Sequence, residues 1–237
     1  MYSDDFAVEQ SIINKRAYGL SLHRNIYFLM ALTLALALVF ATFALQYPSL
    51  ADFLRKYWIV AAVAFVIALL LLIFSYFINS FRREPLNMII YVLFTLCFIW
   101  FVAWAVVRDP TFLLYFVLWI VLLALLGYLL YSFSTTGSVS ALASLVIVVT
   151  AAVAVLLVFL IFTNVSFLWL LFAALGAMVF SYYLNYDVRK AARGTLMDPT
   201  TEDAWTGAVR GWAEGHLVLC HFLEMIGYGC CKRKIGG

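Results

Sequence analysis

The sequence predicts an all-α integral membrane protein, a bundle of six to seven transmembrane helices. Hydrophobic residues make up 67% of the 237 positions, charged residues only 11%, and the mean hydropathy is +1.05. A soluble domain needs more polar residues to cover its surface, whereas in a bilayer apolar side chains form the exterior. The chain also contains repeated apolar stretches of about 20 residues, the length that a helix needs to cross the hydrocarbon core.

Six of these stretches contain no charged residue. They are 25–47, 57–79, 86–107, 111–132, 139–162 and 165–186. The charges from Ile26 to Tyr186 fall in the short breaks between them, at Asp52, Arg55, Lys56, Arg82, Arg83, Glu84, Arg108 and Asp109. A charge at the centre of a spanning helix costs about 2.5–3.5 kcal/mol on insertion scales, so each stretch is expected to span and each break to be a loop.

A seventh segment, 204–228, has the length and apolar content of a span but carries ionisable residues. At about 100° per residue, four of them fall along one helical face: Arg210, Glu214, His221 and Glu224. His216 points to nearly the opposite side. A polar face of this kind is buried against partner helices or a wet cavity. Length favours a spanning helix, the basic tail that follows favours a re-entrant one, and both remain open.

The positions of Lys and Arg predict the orientation. If the first six stretches span, one side of the membrane receives Lys15, Arg16, Arg24, Arg82, Arg83, Arg189, Lys190 and Arg193. Basic loops favour the cytosolic side, so the N-terminus is expected in the cytosol, although Arg55 and Lys56 fall on the other side. No cleavable signal peptide is evident, and the first helix is expected to be a retained signal-anchor. The expected organisation is an arm at 1–25, a multi-pass bundle at 26–228 and a basic tail at 229–237.

Two carboxylates are the candidates for function. Asp187 ends the sixth stretch, and a second carboxyl group close to it would raise its proton affinity, so such a pair could sense pH or bind a cation. The alternative is a solvated loop aspartate. Glu214 lies four residues after Arg210, which suits an intrahelical ion pair. That pair would either only help the helix to insert or form part of a gate or ion path.

Enzyme, cofactor and nucleic-acid functions are not predicted. The spacing of His216, His221 and Glu224 fits no HExxH arrangement, so no metal site is expected. Gly137-Ser138-Val139-Ser140 lacks the nucleophile-elbow pattern, and no glycine-rich phosphate loop occurs. Cys230 and Cys231 adjoin a basic run after the last apolar segment, a setting that permits S-palmitoylation. Two inert thiols are the alternative.

Short motifs in a fixed order resemble one family. They are KRAYGL at 15–20, SFRREPLN at 80–87 with LFTL at 93–96, YSFSTT at 131–136, and ALGAMVFS at 174–181 with YD at 186–187. A further feature is the length of the interval between the acidic pair at 202–203 and Glu214. Together they resemble the Bax-inhibitor family, which includes the Lifeguard and Golgi anti-apoptotic proteins. By position, Asp187 matches the first aspartate of the family's gate, Glu214 falls where the second would be, and Arg82 or Arg83 matches the basic partner. Glutamate in place of aspartate indicates a divergent member, which would suit a viral homologue.

The resemblance implies a seven-helix bundle of the endoplasmic reticulum or Golgi. It further implies a pH-sensitive calcium leak that modulates calcium stores and suppresses cell death, with calcium as a permeant ion and not a cofactor. The expected partners are the lipid bilayer, calcium and either other membrane proteins or further copies of the chain. A non-conducting adaptor that alters trafficking or immune signalling is the alternative, and a transporter is a third hypothesis, weakened by the lack of interior Gly or Pro breaks in the first six stretches.

Overall fold

The structure is a computed structural model that describes residues 2–77, 85–109, 111–135, 139–192, 204–209 and 212, with side chains over 22–74, 85–109, 111–135, 139–189, 204–209 and 212. These residues form seven helices and a short helical stretch at 204–209, and none of them lies in a β-strand. The helices are α1 (Tyr2–Gln46), α2 (Pro48–Lys56), α3 (Trp58–Phe77), α4 (Leu86–Arg108), α5 (Leu113–Ser134), α6 (Ala141–Phe162) and α7 (Phe167–Ala192).

Five of the described segments are each long and apolar enough to cross a membrane. They are Leu22–Gln46, Leu86–Arg108, Leu113–Ser134, Ala141–Phe162 and Phe167–Arg189. The pair α2 and α3 makes a sixth if the two bent helices count as one span. The prediction of an all-helical, multi-pass membrane bundle is therefore confirmed, with five to six spans in the described part. Most of the predicted seventh segment, 204–228, lies outside the described residues.

The break predicted at 48–56 is a helix and not a loop. Pro48 occupies the first turn of α2, where its missing N–H costs nothing. Ala51 and Leu54 are buried against the bundle, while Arg55 and Lys56 lie in the last turn. The helix is bent by 71° from α3. An apolar face opposite a charged face is typical of a helix that lies at a membrane interface.

The central helix of the bundle is α1. Half of its membrane-spanning window is buried, against 39% or less for the other four single-helix spans. It packs along α4 and α5 and also contacts α7 and α2. Helix α3 packs mainly on α4 and turns most of its apolar surface outward, while α6 packs on α5 and α7.

The spans alternate in direction. Hydrogen bonds join the first half of the spanning part of α1 (Leu22–Gln46) to the first half of α4, at Thr33 and Tyr91, and join Tyr27 of α1 to Asn185 near the end of α7. Helices α1, α4 and α6 therefore run one way, and α5 and α7 run the other. We name the two ends of the bundle the Arg24 end, where α1 enters the membrane, and the Asp109 end, where α4 leaves it.

Candidate functional site at the Arg24 end

A buried hydrogen bond joins the first and last spans at the Arg24 end. The Tyr27 hydroxyl of α1 donates to Oδ1 of Asn185 on α7 at 2.5 Å, and both residues are at most 2% exposed. The Tyr27 ring also contacts the Tyr128 ring of α5, with centroids 5.5 Å apart. In lipid, a polar side chain inside a span needs a partner within the protein, and these contacts supply it.

Tyr128 connects three helices through its hydroxyl. The hydroxyl donates to the Ser181 carbonyl of α7 at 3.0 Å and lies 3.0 Å from Oγ of Ser144 on α6. Because a phenol carries a single proton, the Ser144 hydroxyl is the donor in the second bond. All three residues are almost completely buried. The cluster of Tyr27, Tyr128, Ser144, Ser181 and Asn185 thus ties α1, α5, α6 and α7 together, and we call it the tyrosine cluster.

Basic side chains border the tyrosine cluster. Nε of Arg24 donates to the Ser132 carbonyl in the last turn of α5 at 2.8 Å, and its guanidinium lies 5.3 Å from the centre of the Phe133 ring. A cation at a helix C-terminus is favourable because the free carbonyls there carry partial negative charge. Arg189 of α7, four residues after Asn185 in the chain, is half-buried.

Asp187 lies within this end of the bundle. It is 5% exposed, and α7 continues beyond it to Ala192, so the residue does not end the helix as predicted. The alternative of a solvated loop aspartate is wrong because the side chain is buried. Leu184 and Val188 on either side of it belong to the main apolar core, which also contains Ala204 and Ala208. The stretch at 204–209, which follows α7 in the chain, therefore belongs to the same core as this end of α7.

A second polar cluster lies deeper in the membrane between α1 and α4. The Tyr91 hydroxyl donates to the Leu29 carbonyl at 2.8 Å and lies 2.8 Å from Oγ1 of Thr33, which is 3.3 Å from Oγ1 of Thr95. The Trp205 ring lies 5.1 Å from the Tyr91 ring, so the stretch at 204–209 packs beside this cluster. These contacts place the stretch at 204–209 beside the surface where α1 and α4 pack together.

The other predicted site residues lie outside the described part of the chain. They are the proposed gate residues Arg82, Arg83 and Glu214, the polar stripe of Arg210, His221 and Glu224, and the candidate lipidation sites Cys230 and Cys231. Their proximity to Asp187 stays a prediction. Among the described residues, no group of three His, Cys, Asp or Glu side chains could hold a metal ion.

Sequence reasoning missed the tyrosine cluster, although α7 carried a signal for it. Ser181, Asn185 and Arg189 recur every fourth residue and therefore share one face of a helix that is otherwise mostly apolar. A polar stripe in a span predicts burial toward the bundle. The tyrosines that meet this stripe had no such signal, since Tyr27 is 158 residues away along the chain from its partner.

No protein-family model matches the chain, and neither the curated proteins nor the solved structures give a match. The resemblance to the Bax-inhibitor family therefore stays a prediction from the motifs. What the structure shows by itself is a multi-pass helical membrane bundle that carries a buried carboxylate and a polar cluster at one end.

Proposed function

We propose that the chain is a pH-sensitive calcium-leak channel of an internal membrane, the endoplasmic reticulum or Golgi, which modulates calcium stores and suppresses cell death. The observation that carries the proposal is the burial of the Asp187 carboxyl, 5% exposed, at the end of a spanning helix. Ionisable groups inside a membrane bundle are costly, and they mark ion pathways and proton relays. The family resemblance supplies the calcium and the organelle.

A buried carboxyl group can respond to both calcium and protons. Its ionised form attracts a divalent cation, and its protonated form does not, so the two ligands compete for one group. The neighbouring tyrosine cluster fixes the end of α7 against α1 and α5, and a change of charge at Asp187 would act on that contact. Calcium flux is therefore expected to rise with pH.

The test is calcium flux in proteoliposomes at pH 6 and pH 8, with wild type and Asp187→Asn. Amide replaces carboxylate at nearly constant volume, so the variant removes only the charge and the titration. The amide cannot carry the charge that attracts the cation, so the variant is expected to lower flux at pH 8 about tenfold or more. Its flux should also no longer depend on pH.

Asp52→Asn is the matched control. Asp52 lies on α2 at the opposite end of the bundle, with its side chain 75% exposed in an ion pair with Arg55. The same chemical change there should leave flux and its pH dependence at wild-type levels. Wild-type flux no greater than that of empty liposomes would exclude the channel and would favour the non-conducting adaptor, which pull-down and cross-linking from detergent would then test.

A further inference from the structure

Two cavities at the Asp109 end, away from the tyrosine cluster, share one lining residue, Phe112. The first, of about 670 Å³, lies where α2, α4 and the start of α5 come together, and both Arg55 and Arg108 line it. Trp58 adds an aromatic wall from the start of α3. Because α2 is an interfacial helix, this cavity lies at the level of the lipid headgroups.

The charge of the first cavity favours an anion. Its one carboxylate, Asp109, is occupied by the turn into α5: it accepts hydrogen bonds from the Thr111 N–H at 2.9 Å and the Leu114 N–H at 2.8 Å. Arg55 forms a long, exposed ion pair with Asp52 at 3.5 Å and lies 3.4 Å from the Val107 carbonyl. Each guanidinium has five N–H donors, so several remain for a phosphate group.

The second cavity, of about 640 Å³, is an apolar groove between α5 and α6 on the lipid-facing surface. Its walls include Tyr115 and Trp119 of α5 and Val158 and Phe159 of α6. Phe112 lines both cavities, so they adjoin the same side chain. Its backbone has a φ of 56°, the left-handed conformation that a bulky residue adopts only where the surroundings impose it, and such positions are concentrated at ligand sites.

We propose that the two cavities form one site for an anionic phospholipid, with its phosphate against Arg55 and Arg108 and an acyl chain in the groove between α5 and α6. A soluble phosphate would use only the first cavity, and a neutral lipid would use only the second. The juxtaposition of two arginines at headgroup level with an apolar groove at acyl level selects a molecule that carries both parts.

The full-length protein in neutral detergent is titrated with phosphatidylglycerol and with phosphatidylcholine of the same acyl chains, and native mass spectrometry counts the bound lipids. Basic side chains at a membrane surface are each worth about a five-fold change in binding of an anionic lipid, so one phosphatidylglycerol should bind about tenfold or more tightly than phosphatidylcholine. Arg55→Gln and Arg108→Gln should each remove about five-fold of that preference.

Two matched controls separate this site from general attraction. Lys56→Gln removes the same charge from the neighbouring position, which does not line the cavity, and should change binding by less than about two-fold if the attraction is local. Val158→Trp fills the groove and should weaken both lipids. Val153→Trp, an exposed valine of α6 outside the groove, should weaken neither.

Three results would overturn the proposal. One is equal binding of the two lipids, and a second is a loss in Lys56→Gln as large as that in the arginine variants. The third is displacement of phosphatidylglycerol by millimolar inorganic phosphate, because that would assign the first cavity to a free anion and leave the groove without a role.

Discussion

The two ends of the bundle hold α1 in place by different means. At the Arg24 end, α1 meets α7 through the buried hydrogen bond of Tyr27 with Asn185 and meets α5 through the ring contact of Tyr27 with Tyr128, whose own hydroxyl bonds α7. At the Asp109 end, α1 meets α4 through small side chains: Ala37, Ala41, Ala44 and Ala103 are all completely buried in one apolar cluster. Lipid is as apolar as a leucine side chain, so burial alone gives no drive for helices to associate. Polar bonds and close approach of small residues are the two remaining devices. The Arg24 end uses polar bonds, and the Asp109 end adds the alanine contact to a single α1–α5 bond among the described residues, between Thr42 Oγ1 and the Tyr115 hydroxyl at 2.8 Å.

Asp109 and Asp187, one at each end, also differ in their surroundings. Asp109 lies in a turn and accepts hydrogen bonds that start α5, which is a structural role. Asp187 lies within α7, and its side chain is on the buried face of that helix. A carboxylate near the end of a span thus stabilises the start of the next helix when it faces a turn, as Asp109 does. It is a candidate for function when it is buried in the bundle, as Asp187 is. Three substitutions test the contrast between the ends, in order of expected effect.

The largest loss of stability is expected from Ala41→Leu at the Asp109 end. Ala41 is completely buried where α1 approaches α4, so a larger side chain must push the helices apart. Overpacking of this kind costs about 1–3 kcal/mol of unfolding free energy, which steric trapping in bicelles can measure. Ala62→Leu on the exposed face of α3 is the control and should have almost no effect. Equal losses in the two variants would show that the alanine packing is not what holds this end.

Tyr128→Phe should have a smaller effect at the Arg24 end. It removes the phenol that bonds the Ser181 carbonyl and accepts from Ser144, while the ring contact with Tyr27 stays. Hydrogen bonds between membrane helices contribute about 0.6 kcal/mol each and at most about 1.7, so the unfolding free energy should fall by about 1–2 kcal/mol. Tyr47→Phe, at an exposed tyrosine outside the core, should leave it unchanged. No change in Tyr128→Phe would mean that packing holds both ends.

The smallest effect is expected from Asp109→Asn, and it should depend on pH. Burial raises the pKa of the Asp109 carboxyl. Hydrogen bonds from the Thr111 hydroxyl and from the backbone N–H groups of Leu114 and Thr111 lower the pKa by more than burial raises it, so it lies below its usual range. The carboxylate therefore stabilises the fold above its unfolded pKa of about 3.9, and that contribution is lost as the pH falls through the lower folded pKa.

The variant should lose about 0.5 kcal/mol at neutral pH, because asparagine is also a good cap but its NH₂ group cannot accept a hydrogen bond. Thermal unfolding of wild type and variant at pH 7 and at pH 3 measures the difference, which should shrink at the lower pH. A difference that is as large at pH 3 as at pH 7 would show that the charge of Asp109 has no part in the cap.

Much of the fold was predictable because membrane insertion is decided segment by segment. Helix α4 begins at Leu86 as predicted and ends one residue later, at Arg108. Helix α6 ends at Phe162 as predicted, and its start follows Ser140, whose side chain accepts a hydrogen bond from the Ala143 N–H. Local features that act within a few residues, such as charges, prolines and caps, set these boundaries. The helix at 48–56 was missed because its apolar face has only Ala51 and Leu54, which gain burial only once the bundle exists.

By itself, the sequence determined that this chain is a helical membrane protein and where its apolar segments lie, since the cost of placing a charge in lipid depends on each segment alone. The tertiary structure alone decided which polar side chains meet. Tyr27 and Asn185, or Thr33 and Tyr91, come together only when distant helices pack, and no local pattern encodes the partner. The tertiary structure also decided that Asp187, predicted at the end of a span, is a buried carboxylate. Its burial depends on α7 extending past it and on the core that contains its neighbours Leu184 and Val188.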